Sequence, residues 1–183
     1  LDTQPIADER AYWRVVAEKS AAFFALAFQL GALCSAAPLA VCRDIAGLGA
    51  VYGEMVQVHD DLRDSLDVPA SPDWLGARAP LPILFAATVP HPEQARFNML
   101  RGRLATAGPS LAEDLAEAQD ILHRSGAISY GLDQILTRDR QARHLLRTLP
   151  VSRTEPIVTL LDEIVTPVWQ LLNLDPAEAA GSA

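Results

Sequence analysis

VQVHDDLRD, residues 56–64, gathers three aspartates and a histidine into one short run. The apolar pattern around it is helical, and it predicts a helix from about Leu39 to Leu66, bounded by Pro38 and Pro69. Asp60, Asp61 and Asp64 then fall in its last two turns, where acids are disfavoured. Aspartate is a poor interior helix former, roughly 0.5 kcal/mol worse than alanine. Asp60 and Asp64 are like charges one turn apart, and the helix dipole is negative at that end. Together these oppose the helix by on the order of 2 kcal/mol, only partly offset by Arg63. A bound cation would reverse the electrostatic part. The 3.6-residue period puts Gly53, Gln57, Asp60 and Asp64 on one face, with Asp61 at its margin. Carboxylates so placed suit a hard divalent ion such as Mg²⁺, which takes one or two of them and completes its shell with water and phosphate. Spacing alone leaves a metal site and a solvated acidic face evenly matched.

Outward from this stretch the chain stays helical. Apolar residues recur at helical spacing from Tyr12 through Leu33, with Asp8 or Glu9 at the start. Residues 69–82 read as loop, followed by a short apolar helix over Ile83–Thr88 and another within HPEQARFNMLRGRL, residues 91–104. Gly108-Pro109 and Ser125-Gly126 separate helices over Ser110–Arg124 and Ile128–Leu149. A last helix covers Thr154–Leu174, with a kink expected at Pro167. No strand pattern, repeat or long linker interrupts this series. The expected fold class is all-α: a bundle of six or seven helices forming one domain over residues 1–174, with residues 175–183 as a disordered tail.

Composition agrees. Half of the 183 residues are hydrophobic, 6% are aromatic and the net charge is -8, which suits a globular core and argues against nucleic acid as a partner. The longest uncharged run, Ser20–Cys42, contains Gln29, Gly31 and Pro38, and fits a core helix better than a transmembrane segment. Cys34 and Cys42 have no metal or disulfide spacing and read as small buried hydrophobes in a reducing, cytoplasmic setting. Phe23, Phe24, Phe28, Tyr52 and Trp13 read as core, with Phe23 and Phe24, one turn past Lys19, placed to touch the apolar tail of a ligand as the alternative, and the arginine-rich stretch Arg138–Arg147 reads as an exposed face. Of the 15 basic residues 14 are arginine; Lys19 is the one lysine.

GEMVQVHDDLRD, residues 53–64, resembles the second aspartate-rich motif of the trans-isoprenyl diphosphate synthases, G-x-x-F-Q-x-x-D-D-x-x-D. Gly53, Gln57, Asp60, Asp61 and Asp64 match, and Val56 replaces Phe. EKSAAFFALAFQLGAL, residues 18–33, is similar to the family's K-T-A helix, with Lys19 and Ser20 in the K-T places. DWLGARAPLP, residues 73–82, is similar to D-L-x-x-G-K-x-T-L-P, with Arg78 replacing Lys; SGAISYGLDQIL and ARHLLRTLP resemble the late helices. The resemblance implies the isoprenoid-synthase helical bundle, usually a homodimer. It implies Mg²⁺-dependent condensation of an allylic diphosphate with the homoallylic isopentenyl diphosphate. Carried over by residue, Asp60 is the direct Mg²⁺ ligand, and Asp61 and Asp64 are ligands or hold it through water. Lys19, Gln57 and Arg78 contact the diphosphate, and Lys19, Gln57 and Asp60 form the catalytic set.

The family's first aspartate-rich motif has no counterpart here. The chain is therefore expected to correspond to a synthase's C-terminal half, inactive alone, with an N-terminal segment or a partner subunit supplying that motif. Two other readings stand beside this one: a class I terpene synthase on the same fold, and a non-catalytic regulatory subunit of a heteromeric prenyltransferase.

Overall fold

In a computed structural model, residues 8–68, 74, 79–106 and 111–171 are described. Asp73 and Arg78, the chain end beyond residue 171 and the expected tail lie outside them. The described residues form seven helices and no strand. Helix α1 is Glu9–Cys34, α2 Leu39–Leu66, α3 Leu81–Thr88, α4 Gln94–Ala105, α5 Leu111–Arg124, α6 Ala127–Thr148 and α7 Glu155–Leu171.

Local chemistry sets these boundaries. Asp8 Oδ1 accepts the Ala11 N–H at 2.7 Å, satisfying one of the free donors where α1 starts. At the other end Ala36 takes a positive φ of 55°, Ala37 N–H closes back onto Ala32 O, and Pro38 prevents continuation. Gly126, at φ 82°, makes the turn between α5 and α6 in a conformation that favours glycine. Helix α3 begins at Leu81, two residues before the expected Ile83, because Pro82 fits the first turn of a helix. Helix α7 runs on through Pro167. Among the described residues α1 alone is long and apolar enough to cross a membrane, judged by length and composition.

The chain divides into two compact units, with boundaries inside α1, α2 and α6 rather than in loops. The first comprises Leu1–Val15 and Val58–Asp133. Its core includes the fully buried Leu81, Ile83, Phe97, Leu100 and Ile121, and Trp74 lies against Phe97 with ring centroids 6.1 Å apart. The second comprises Val16–Gln57 and Gln134–Ala183, with Leu48, Met55, Ile135 and Leu161 at its centre.

Three side-chain expectations change. Phe23 is 66% exposed rather than core, and Cys34 is exposed while Cys42 is buried. The Arg138–Arg147 stretch is partly engaged: Arg138 pairs with Glu54 at 2.7 Å, and Arg143 pairs with Asp139 and Asp162. Period counting assigns a helix face, but the neighbour that covers or spares that face is set by tertiary packing.

Candidate functional site

In the second unit, α1 changes pitch where its polar motif falls. Ala17–Ala21 form a π-helical turn, with the Ala22 N–H reaching back to Ala17 O, and Lys19 and Ser20 lie inside it. Such one-turn widenings often mark functional positions in helices. Ser20 Oγ donates to Gln57 Oε1 at 2.6 Å. Gly53, one turn before Gln57, permits this approach: a Cβ there would lie 2.6 Å from Ser20 O and 2.9 Å from Ala21 Cα. Gly49 meets the Phe24 carbonyl in the same way, at 2.6 Å. Two glycines one turn apart on α2 therefore let the α1 backbone come close, and Gln57 is fixed by the Ser20 hydroxyl. Below them Tyr52 touches Phe24 edge-on and stacks on Phe28; burial, and then Glu163, push its phenol above the usual range.

Lys19 is exposed and makes no hydrogen bond or ion pair among the described residues. One turn on from it begins a run of exposed apolar side chains: Phe23, Leu26 (55%), Leu30 (51%) and Leu33 (43%). Their spacing of three and four residues makes one stripe along the side of α1. Ser20, Phe24 and Phe28 take the α2-facing side. A single ammonium thus stands at the head of an apolar strip about 15 Å long at 1.5 Å per residue. The sequence singles out Phe23 and Phe24 but not the rest of this strip, whose period is that of any core helix; what distinguishes it is that no neighbour among the described residues covers it.

The first unit carries the aspartates, and they are not equivalent. Asp60 is exposed, with His59 Nδ1 3.5 Å from its Oδ1. Asp61 is only 4% exposed, and its Oδ2 accepts the Leu81 backbone N–H at 2.8 Å. That N–H belongs to the first residue of α3 and has no partner within its own helix. Asp61 therefore caps α3 from α2. Asp64 is half-buried and engaged in further contacts. The α2 end that carries these acids is closed off by Gln119, whose Nε2 donates to Ser65 O and Asp67 O at 3.3 and 3.2 Å. Among the described residues no three His, Cys, Asp or Glu side chains converge closely enough to cage a metal ion. Asp60 still offers open carboxylate oxygens. A magnesium ion needs few protein ligands when phosphate and water supply the rest. The donor set suits an ion shared with a phosphate ligand.

Comparison with known proteins bears on the fold and the family. The polyprenyl synthetase family profile matches residues 2–107. Heptaprenyl diphosphate synthase component 2 of Geobacillus stearothermophilus is 30% identical over 159 residues, which cover 81% of this chain and 46% of that protein. Nonaprenyl diphosphate synthase of Mycobacterium tuberculosis is 29% identical over 164 residues, covering 85% and 47%. A solved polyprenyl synthase from Roseobacter denitrificans superposes with a TM-score of 0.72 at 25% identity, covering 87% of this chain and 53% of that one. A geranylgeranyl pyrophosphate synthase from Bacteroides thetaiotaomicron shares the fold, with a TM-score of 0.73 at 24% identity over 87% of this chain and 54% of its own. The chain spans about half the length of the curated relatives it matches.

Proposed function

This chain belongs to the polyprenyl synthetase family, and on that premise we propose that it binds prenyl diphosphates and serves Mg²⁺-dependent prenyl transfer between an allylic and a homoallylic diphosphate. The observation that carries the reading is the Lys19 ammonium at the head of the Phe23–Leu33 strip. A charged group followed by a long apolar surface has the chemistry of a diphosphate head with a prenyl tail.

In this reading Lys19 attracts the diphosphate as a compact point charge and Gln57, held by Ser20, orients it. Magnesium, when bound, neutralises the charge that gathers on the leaving pyrophosphate. Asp60 is its direct ligand, with Asp64, and Asp61 in a supporting place; Arg78 adds a further cation. The strip offers the prenyl tail an apolar surface.

We further propose that turnover requires a second segment or polypeptide supplying the first aspartate-rich motif. Two facts support this: the chain spans about half the length of its curated relatives, and one of those relatives is itself named as a component of a synthase. The test is calorimetric titration of farnesyl diphosphate into the chain with and without Mg²⁺, in parent and Lys19→Ala. Magnesium-dependent binding lost in Lys19→Ala is expected. Binding that is absent, or indifferent to both, overturns the reading.

A further inference from the structure

The second unit holds a groove of about 730 Å³ on the other side of α1. Its walls are mostly apolar: Phe28 and Ala32 of α1, Val41 and Ile45 of α2, and Ile157 and Leu160 of α7. At 3.6 residues per turn, Phe28 and Ala32 lie roughly half a turn round the helix from Leu26 and Leu30. The groove is therefore not a continuation of the Lys19 strip. Its size falls within the range of small-molecule sites, which are typically apolar with a few polar groups that fix orientation.

Those polar groups are grouped at the segment between α6 and α7. Ser152 and Arg153 line the groove there, and Ser35 lines it just past the end of α1. Arg153 is exposed and makes no hydrogen bond or ion pair among the described residues. Arg96, Arg103, Arg124, Arg138 and Arg143 hold carboxylates; Arg153 holds none among the described residues, and its place at the edge of an apolar groove leaves its donors open to an anion seated there. A guanidinium matches a phosphate with two parallel donors. Gly31 also lines the groove, and nothing lies within 4 Å of where its Cβ would be, so the groove is open at that point.

We propose that this groove is a second prenyl-phosphate site, separate from the Lys19 strip, in which Arg153 holds the phosphate and the α1–α2–α7 walls hold the chain. The choice of a prenyl ligand over other anionic amphiphiles rests on the function proposed above; the groove and its cation do not.

The experiment uses the whole 183-residue chain without magnesium, titrated with farnesyl monophosphate below its micelle-forming concentration. Gly31→Leu fills the groove with a side chain that favours helix, and circular dichroism checks that each variant stays folded. Gly31→Leu and Arg153→Ala should each weaken binding about tenfold or more, the loss expected for a filled pocket or a missing charged hydrogen bond. Lys19→Ala should leave it unchanged. No binding by the parent, or equal binding by Gly31→Leu, overturns the proposal; loss in Lys19→Ala assigns the ligand to the strip instead and also overturns it. Dodecyl phosphate binding as tightly as the prenyl compound overturns the prenyl assignment. Magnesium-dependent farnesyl diphosphate binding, measured in the same Gly31→Leu variant, should persist, which separates failure of this site from failure of the functional reading.

Discussion

Ser20 and Gln57 are joined by a 2.6 Å hydrogen bond that only a glycine at position 53 makes possible. A Cβ at 53 would meet backbone atoms of Ser20 and Ala21, which cannot swing aside as a flexible side chain could. Gly53→Ala should therefore destabilise the protein by about 1–3 kcal/mol despite alanine's better helix propensity. Ser20→Ala should cost less, about 1 kcal/mol, by leaving the Gln57 oxygen without this donor. Denaturant unfolding of the two variants checks the order; a neutral Gly53→Ala would mean that the helices separate freely there.

The strip of Phe23, Leu26, Leu30 and Leu33 should make the chain associate. Large contiguous apolar surfaces on soluble proteins mark places where something else packs. Light scattering of the 183-residue chain is expected to show dimers or larger species. Leu26→Glu with Leu30→Glu should shift it toward monomer without loss of helix content, since neither side chain is in the core. A stable parent monomer would show that the ligand-free strip does not drive association.

How much of this was readable beforehand differs from residue to residue. Helix α2 was legible to its ends, Leu39 and Leu66, because prolines flank it and its apolar pattern is unbroken. Gly53 and Gln57 were legible as motif positions, but the reason for the glycine is a backbone contact between helices distant in sequence. The exposure of Phe23 and the Arg138–Glu54 pair were not legible, since a period of 3.6 gives a face and not its neighbour. Asp61 illustrates the same limit. Adjacent to Asp60 in sequence, it is turned inward by about 100° of helix rotation and meets the start of α3.

Asp139 supplies a pH prediction. It is buried, and desolvation raises its carboxyl pKa above 3.8, although Arg143 bonds both its oxygens at 2.9 Å and pulls the other way. A folded pKa above the unfolded one means that the folded state binds the proton more tightly. The group's contribution to stability is then greatest below pH 3.8 and falls as pH rises through the raised folded value. Asp139→Asn is neutral throughout. Relative to that variant, the parent should lose stability as pH rises from below 3.8 through the raised folded value. Chemical denaturation at both ends of the range tests it; a parent that gains on the variant as pH rises would show that the Arg143 pair outweighs burial.

Asp60 and Asp61, neighbours in sequence, should separate cleanly on mutation. Asp60 is exposed, beside His59, on a helix end whose dipole and whose Asp64 both oppose its charge. Asp60→Asn is therefore expected to leave metal-free stability unchanged or to raise it by up to roughly 1 kcal/mol. It should also abolish magnesium-dependent diphosphate binding. Asp61→Ala strands the buried Leu81 N–H, an unmet donor that costs about 1–3 kcal/mol. Asp61→Asn retains an oxygen for that N–H and should recover most of the loss. Arg63→Ala removes an exposed cation from an acidic helix end and should lower stability slightly with little effect on binding. Melting curves without metal, set beside calorimetric titration of pyrophosphate with and without Mg²⁺, measure both properties for each variant. Should Asp60→Asn bind like the parent, or melt well below it, the exposed aspartate is structural and the diphosphate–magnesium reading of residues 56–64 fails.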